Sequence, residues 1–220
     1  MEALSGLIVS CQAPVGSPLR DPTVIAALAQ ASVMAGAVGV RIESPEHVRA
    51  VRARLSEPIV GLWKRDYEGS AVYITPTFAD CEAIARAGAD ILAIDATARL
   101  RPGGEDLATL IARIHTELGL PVLADVATLA EGLAAEAAGA DLVATTLCGY
   151  TEETKGTPLP ALDLVAALAG RLRVPVWCEG GVSTPAEYAA ARGRGARVVV
   201  VGTALTGLEA RVRTFLAADS

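Results

Sequence analysis

Apolar runs of strand length recur eight times along the chain, at 6–12 (GLIVSCQ), 37–43, 59–65, 90–96, 121–126, 141–146, 175–180 and 197–203. Most are continuous rather than alternating, the pattern of strands covered on both faces. Between them lie Ala-rich stretches with helical spacing, at 22–35, 79–87, 105–117, 129–138, 162–172 and 185–194, with a shorter one opening at Ser44-Pro45-Glu46. Asp21-Pro22 and Thr184-Pro185 each set a capping side chain before a proline at the first helical position. The stops repeat as well. AGA at 35–37, AGAD at 87–90 and again at 138–141, and RGAR at 194–197 put a glycine between helix end and strand start.

A strand–helix unit that recurs in this way needs a parallel sheet with crossover helices. Eight units in 220 residues predict one closed (β/α)8 TIM barrel, a single domain over 1–220. The rival is an open doubly wound sheet, but no G-x-G-x-x-G follows the first strand. Two connections are long and polar: 66–77 after the third strand and 149–160 after the sixth, the second with the composition of a mobile lid.

Composition adds limits. Hydrophobic residues make up 52% and aromatic ones 4%, so aliphatic side chains are expected to fill the core. A net charge of −6 argues against a nucleic-acid partner, while a small phosphate can still be held by backbone N–H groups. Cys11, Cys81, Cys148 and Cys178 contain no C-x-x-C pair, and the only histidines are His47 and His115. No metal site is expected from them, and the cysteines read as buried free thiols of a reducing cytosol. The first residues show no basic segment followed by an apolar run, and no apolar stretch reaches membrane-spanning length. These features point to a soluble cytoplasmic protein without a membrane partner. Ala-rich helices serve core and interface alike, so the composition leaves a homodimer open.

In such a barrel the ligand lies at the C-terminal ends of the strands. The polar residues there are Ser10 and Gln12, Arg41 and Glu43, Lys64 and Arg65, Asp95, Asp125, Thr145 and Thr146, Glu179, and Gly202-Thr203. Side chains alternate between barrel interior and helix layer, so Gln12 shares a face with Ser10 and Arg41 with Glu43. Lys64 and Arg65 cannot both face inward, and Arg65 is read as loop. Gly180 and Gly181 after the seventh strand, and Gly202 and Thr203 after the eighth, predict a phosphate site of backbone N–H groups in loops seven and eight.

With these motifs the chain resembles the N-acylmannosamine-6-phosphate 2-epimerases of bacterial amino-sugar and sialic acid catabolism. The resemblance is carried by GLIVSCQ (6–12), VRIE (40–43), KRD (64–66), YITPT (73–77), GADILAIDAT (88–97), LADVAT (123–128), TTLCGYT (145–151), EGGVSTP (179–185) and VVVGTALT (199–206). It implies a barrel of the ribulose-phosphate-binding type. The implied reaction is inversion at C2 of N-acetylmannosamine 6-phosphate to give N-acetylglucosamine 6-phosphate, with no metal or nucleotide cofactor. By resemblance Lys64 and Glu179 are the catalytic pair. Gln12, Arg41, Asp125 and Thr145 are then substrate contacts, and Gly180, Gly181, Gly202 and Thr203 hold phosphate. The chain departs from the family at Gly181, often basic, and at Gly207, usually Arg; Arg211 is a candidate substitute. Other phosphosugar barrels, such as metal-dependent ribulose-phosphate epimerases or thiamine-phosphate synthases, and a noncatalytic sugar-phosphate sensor are the alternative readings.

Overall fold

The computed structural model describes residues 4–217. Its eight strands are β1 (Gly6–Cys11), β2 (Gly39–Glu43), β3 (Ile59–Leu62), β4 (Ile91–Asp95), β5 (Val122–Asp125), β6 (Leu142–Ala144), β7 (Val176–Glu179) and β8 (Val198–Val201). Each pairs in parallel with its chain neighbours, and β8 closes on β1. The helices are α1 (Pro22–Met34), α2 (Pro45–Arg52), α3 (Phe78–Ala87), α4 (Leu107–Arg113), α5 (Leu129–Ala137), α6 (Leu162–Ala169), α7 (Pro185–Gly193), α8 (Thr203–Thr206) and α9 (Leu208–Leu216).

Local chemistry sets the helix ends. The Asp21 carboxylate accepts from the Thr23 and Val24 N–H groups ahead of Pro22. Thr77 with Asp80, Thr128 with Glu131 and Thr184 with Glu187 form reciprocal caps that satisfy N–H groups otherwise left without acceptors. The repeated AGAD stop has a structural meaning at the far end of the barrel. Gly88 and Gly139 take φ of 104° and 100°, a backbone turn that favours glycine. The aspartate that follows each, Asp90 or Asp141, then accepts the N–H of Ile59 or Val122, at 2.8 Å, where the preceding strand begins.

Two cores result. Outward residues such as Val9, Ile42, Leu92, Ala124 and Val199 pack under the helices. Inward residues Ile8, Val60, Leu62, Ile91, Ala93, Leu123, Ala144, Trp177, Val198 and Val200 fill the barrel. Trp177, 1% exposed, is the largest fully buried side chain, so the interior is not purely aliphatic. The four cysteines are buried and free.

Two predicted boundaries shift for physical reasons, and the helical region after β8 has a break of its own. The third strand ends at Leu62 because the segment after it folds back and wedges between β3 and β4. The Thr75 N–H donates to the Trp63 carbonyl and the Trp63 N–H donates back to the Thr75 hydroxyl, which itself donates to the Ala93 carbonyl at 2.7 Å, while the Asp95 N–H donates to the Ile74 carbonyl at 2.9 Å. The expected helix over 105–117 is capped by Asp106, runs as α-helix only to Arg113 and finishes in a wider π turn, Ile114–Leu118. The last helical region is broken at Gly207, where a Cβ would lie 2.8 Å from the Thr203 carbonyl oxygen.

Candidate active site

Strand parity sends a second inward layer to the C-terminal mouth, above the apolar interior. Ser10 and Gln12 continue the Ile8 face, Arg41 and Glu43 lie on β2, and Lys64 continues the Leu62 face. Asp95, Asp125, Thr146, Glu179 and Gly202 follow by the same period of two. The apolar residues below give these groups a dry floor.

Arg41 is the centre of that floor. It is 1% exposed, and its guanidinium meets Asp125 with both terminal nitrogens, at 3.1 and 2.5 Å. The same Nη1 lies 2.9 Å from a Glu179 carboxylate oxygen, an ion-pair distance without hydrogen-bond alignment. The ion chain Asp125–Arg41–Glu179 therefore joins β5, β2 and β7 across the barrel. Burial works against the charge of Arg41, but the two carboxylates outweigh it and hold the guanidinium more firmly protonated than usual. Thr146 donates to Asp125 at 2.5 Å.

Glu179 is pushed up to about 7, first by burial and then by the Asp125 charge, against the lowering pull of Arg41 and Lys64. Lys64 is displaced downward, first by desolvation and then by Arg41. Its side chain presents surface to solvent, yet it stands inside a concave mouth where protein replaces much of the surrounding water. No carboxylate lies within ion-pair distance of its Nζ among the described residues. Lys64 and Glu179 rise from β3 and β7, strands on opposite sides of the eight-stranded ring. Each is shifted toward neutrality, as acid–base work at neutral pH requires.

The other expected site residues divide. Gln12 reaches the mouth and donates to the Ser10 hydroxyl at 2.9 Å. Asp125 is held by Arg41 and Thr146, not by Lys64. Thr145 is turned away: its hydroxyl donates to the Glu179 carbonyl at 3.0 Å and accepts the Glu179 N–H. The inward threonine is Thr146, because Leu142, Ala144 and residue 146 share one face. Arg65 lies outside, stacked on Trp63 and Tyr67 and paired with Asp80.

Gly180 and Gly181 have φ of 106° and 73°, and a Cβ on Gly181 would meet the Leu159 Cβ at 2.3 Å. Leu159 belongs to the 149–160 connection, which is folded on itself through Gly149, Thr151 and Thr154 and packs onto loop seven. Gly202 and Thr203 open α8 beside Ser10, and Thr206 donates to the Ser10 carbonyl at 2.8 Å. Arg211 is exposed on α9.

Sequence reasoning passed over Arg20, Tyr73 and Arg99. Arg20 reaches from the first loop to Glu43 at 2.7 Å, and Arg99 pairs with the fully buried Asp95 at 2.7 Å. Neither lies at a strand end, so parity could not flag them. His47 is tied to Ser44 and the Glu43 carbonyl and His115 to Asp141, both away from the mouth. No group of three or more His, Cys, Asp or Glu side chains suited to a metal ion occurs among the described residues. A cleft of about 440 Å³ lined by Arg173, Arg192 and Arg197 lies at the opposite barrel end and shares no residue with the mouth.

A closed parallel barrel whose C-terminal mouth holds an ion chain, a depressed lysine and a raised carboxyl is the scaffold of an acid–base barrel enzyme. Comparison places it more narrowly. Residues 25–219 match the family described as "Putative N-acetylmannosamine-6-phosphate epimerase", and the chain belongs to that family. A Synechococcus elongatus protein named "Putative N-acetylmannosamine-6-phosphate 2-epimerase" is 55% identical over 215 residues, covering 97% of this chain and 93% of the relative. A Salmonella typhimurium protein of the same family is 47% identical over 205 residues, covering 93% and 88%. The structure of N-acetylmannosamine-6-phosphate 2-epimerase from Clostridium perfringens superimposes with a TM-score of 0.93 at 35% identity, covering 96% of this chain and 92% of that one. A thiamine phosphate pyrophosphorylase from Pyrococcus furiosus, 13% identical with a TM-score of 0.62 over 93% of this chain and 88% of its own, shares the fold.

Proposed function

We propose that this chain, read as one barrel domain over 1–220, is an isomerase that inverts C2 of N-acetylmannosamine 6-phosphate to give N-acetylglucosamine 6-phosphate. The observation that carries the reading beyond family membership is the facing of Lys64 and Glu179 across the mouth, each with its proton affinity moved toward neutrality.

The C2 proton is acidic only when the sugar ring is open and C1 is an aldehyde. Neutral Lys64 takes that proton, the C2–H electron pair forms the C1–C2 double bond, and the carbonyl pair moves onto oxygen. Protonated Glu179 then returns a proton to C2 from the opposite face, and solvent resets both groups. Gln12 faces the oxygens on which charge develops, and Arg41, its terminal nitrogens held by Asp125 and Glu179, contributes positive charge beneath the substrate. Asp125 keeps the Arg41 guanidinium in place and raises Glu179, so it acts on the substrate's chemistry through both. The hydroxyl of Thr145 holds the backbone of Glu179, which gives it a positioning role rather than the direct substrate contact expected from sequence.

The sugar phosphate is held at loops seven and eight. The glycines at 180, 181 and 202 let an anion approach the backbone, and N–H groups in the first turn of a helix such as that opening at Thr203 have no intrahelical acceptor. Side chains at 181 and 207 have no room in this backbone, so direct backbone contact replaces the basic groups usual in the family there.

The protein acts in the cytoplasm as a homodimer, without nucleic acid or membrane. Among the described residues no helix is long and apolar enough to cross a membrane. Support for pairing comes from α8 and α9. No residue of α9 is buried, while Leu205, Leu208, Val212, Phe215 and Leu216 are 48–73% exposed at helical spacing.

Proton NMR of the protein with N-acetylmannosamine 6-phosphate in deuterated water tests the reaction. Conversion with deuterium entering C2 is expected; unchanged substrate overturns the reading.

A further inference from the structure

Tyr73 lies in the wedge between β3 and β4, and its chemistry is not used by the groups already assigned. Its place is fixed from both sides. Its carbonyl accepts the Arg65 N–H at 3.0 Å, and the next residue, Ile74, bridges Lys64. The ring is half-buried against the barrel interior, and the Arg99 guanidinium carbon lies 6.0 Å from its centroid. Arg99 is in turn tied to Asp95 and Thr97. Thr75, two residues on, holds φ at 44°, outside the usual range for its type, and two hydrogen bonds of its side chain keep it there. This wedge is over-determined and does not behave as a free loop.

What the wedge presents is a phenol whose hydroxyl has no hydrogen-bond partner among the described residues, although the ring is packed into the site. Several polar groups of the floor are already paired: Arg41 with Asp125, Thr146 with Asp125, Asp95 with Arg99 and Thr97. On the β3 side of the mouth, Lys64 and Tyr73 each present a side-chain polar group without a hydrogen-bond partner among the described residues.

We propose that Tyr73 is a catalytic residue whose phenolic O–H donates a hydrogen bond to the C1 oxygen as the enolate forms. The inference rests on the epimerase reading above. When Lys64 removes the C2 proton, the C1 carbonyl pair settles on oxygen; Tyr73 stabilises that oxygen and keeps its own proton, so no bond at Tyr73 breaks. Burial, with the charges of Asp125 and Asp95, pushes the phenol up to about 12, so it serves as a donor and not as a phenolate at neutral pH. A neutral donor suits this position. It strengthens its hydrogen bond only as the oxygen becomes negative, which favours the transition state over the bound substrate.

The test is Tyr73→Phe, which keeps the ring against the interior and under Arg99. Loss of one donor to a developing oxyanion should lower kcat about 10²–10³-fold. KM should stay within about threefold, as for an interaction made in the transition state. The thermal midpoint and circular dichroism should match wild type. If wild type turns over the substrate and Tyr73→Phe retains kcat within about threefold, the role of Tyr73 is overturned and the epimerase reading stands. If wild type itself gives no turnover, both fall. A measurement on the unaltered protein guards against a folding defect in the variant. With tyrosine labelled at Cζ by carbon-13, the Tyr73 resonance should move on saturation with N-acetylglucosamine 6-phosphate; an unmoved resonance overturns the proposal.

Discussion

Arg41 and Asp125 stand 84 residues apart in the chain and close into a two-point ion pair on the floor of the barrel, 1% and 0% exposed. The pair fixes the guanidinium plane, leaves Nη1 beside Glu179, and adds the negative charge that helps raise that carboxyl. Removing one member of a buried pair strands the other in a dry site. Asp125→Ala should therefore cost about 3–5 kcal/mol, read by urea unfolding. Asp125→Asn keeps the shape and deletes the charge. The Glu179 ionisation in the pH profile of kcat/KM should then move to lower pH, and an unmoved or upward limb would contradict the coupling.

Glu179 makes the protein's stability depend on pH in a stated direction. Its folded pKa of about 7 lies above the ordinary glutamate value of 4.5. The native state thus binds more protons than the unfolded chain between those values, and this group's contribution favours folding at low pH and is lost as pH rises through the window. Glu179→Gln imitates the protonated form. Relative to wild type the variant should gain stability between pH 5 and pH 8, by up to about 3 kcal/mol for a shift of this size. Urea midpoints at the two pH values measure it. The same variant should lose activity by about 10²–10⁴-fold, the contribution of a positioned acid–base group. A variant that is no more stable at pH 8 than at pH 5, relative to wild type, would place Glu179 in a more solvated setting.

Lys64 carries the opposite shift, so its neutral form is present at lower pH than for an ordinary lysine. As the base, it should give a rate of C2 exchange with deuterium that rises with pH along a limb below the usual lysine range. Lys64→Met removes the amine while keeping an unbranched side chain in the mouth. Exchange should vanish, whereas binding of N-acetylglucosamine 6-phosphate measured by calorimetry should persist, because the substitution leaves the phosphate contacts proposed for loops seven and eight untouched. Near-normal exchange in this variant would remove Lys64 from the role.

The strand–helix alternation and the stops at Gly88 and Gly139 were legible because they depend on neighbours in sequence, and the same period of two brings Arg41, Lys64, Asp125 and Glu179 to one mouth. What escaped depends on tertiary context. β6 is three residues long, so deciding between Thr145 and Thr146 needed the phase set by Leu142 and Ala144 rather than the polar pair alone. The wedge at 73–75 reads as a polar loop because nothing local announces that Ile74 will enter the interior or that Thr75 will be held at positive φ. Asp125, read from sequence as a substrate contact, is paired with Arg41, whose guanidinium offers two parallel donors to one carboxylate.

Gly181 shows how a glycine that reads as phosphate chemistry also answers a packing demand. Its positive φ and the 2.3 Å approach of the Leu159 Cβ to a hypothetical Cβ bind loop seven to the 149–160 connection. Gly181→Ala should destabilise the protein and raise KM for the sugar phosphate by moving the loop backbone. Leu159→Ala alone leaves the Leu159 Cβ in place, so it should not rescue Gly181→Ala, whereas Leu159→Gly should restore part of the lost stability. A double-mutant cycle with thermal midpoints and KM reads this coupling. Independent, additive effects of Gly181→Ala and Leu159→Gly would show that the contact is not shared.

The terminal helix gives the remaining expectation. Leu208, Val212 and Phe215 recur at helical spacing on a helix with no buried residue, and Ser17 in the first loop bonds to Glu209 on the same helix. An apolar stripe of this kind is costly in water and is relieved when a second copy covers it, since a two-fold axis presents the same stripe to itself. Wild-type protein should sediment as a dimer. Val212→Glu with Phe215→Glu should give a monomer that keeps the barrel's circular dichroism, because neither side chain packs into the core. Because Ser17 ties α9 to the loop that carries Gln12, the monomer should also show a raised KM with kcat less affected. A wild-type monomer across the accessible concentration range, or a variant that remains dimeric, would assign the exposed stripe to something other than self-association.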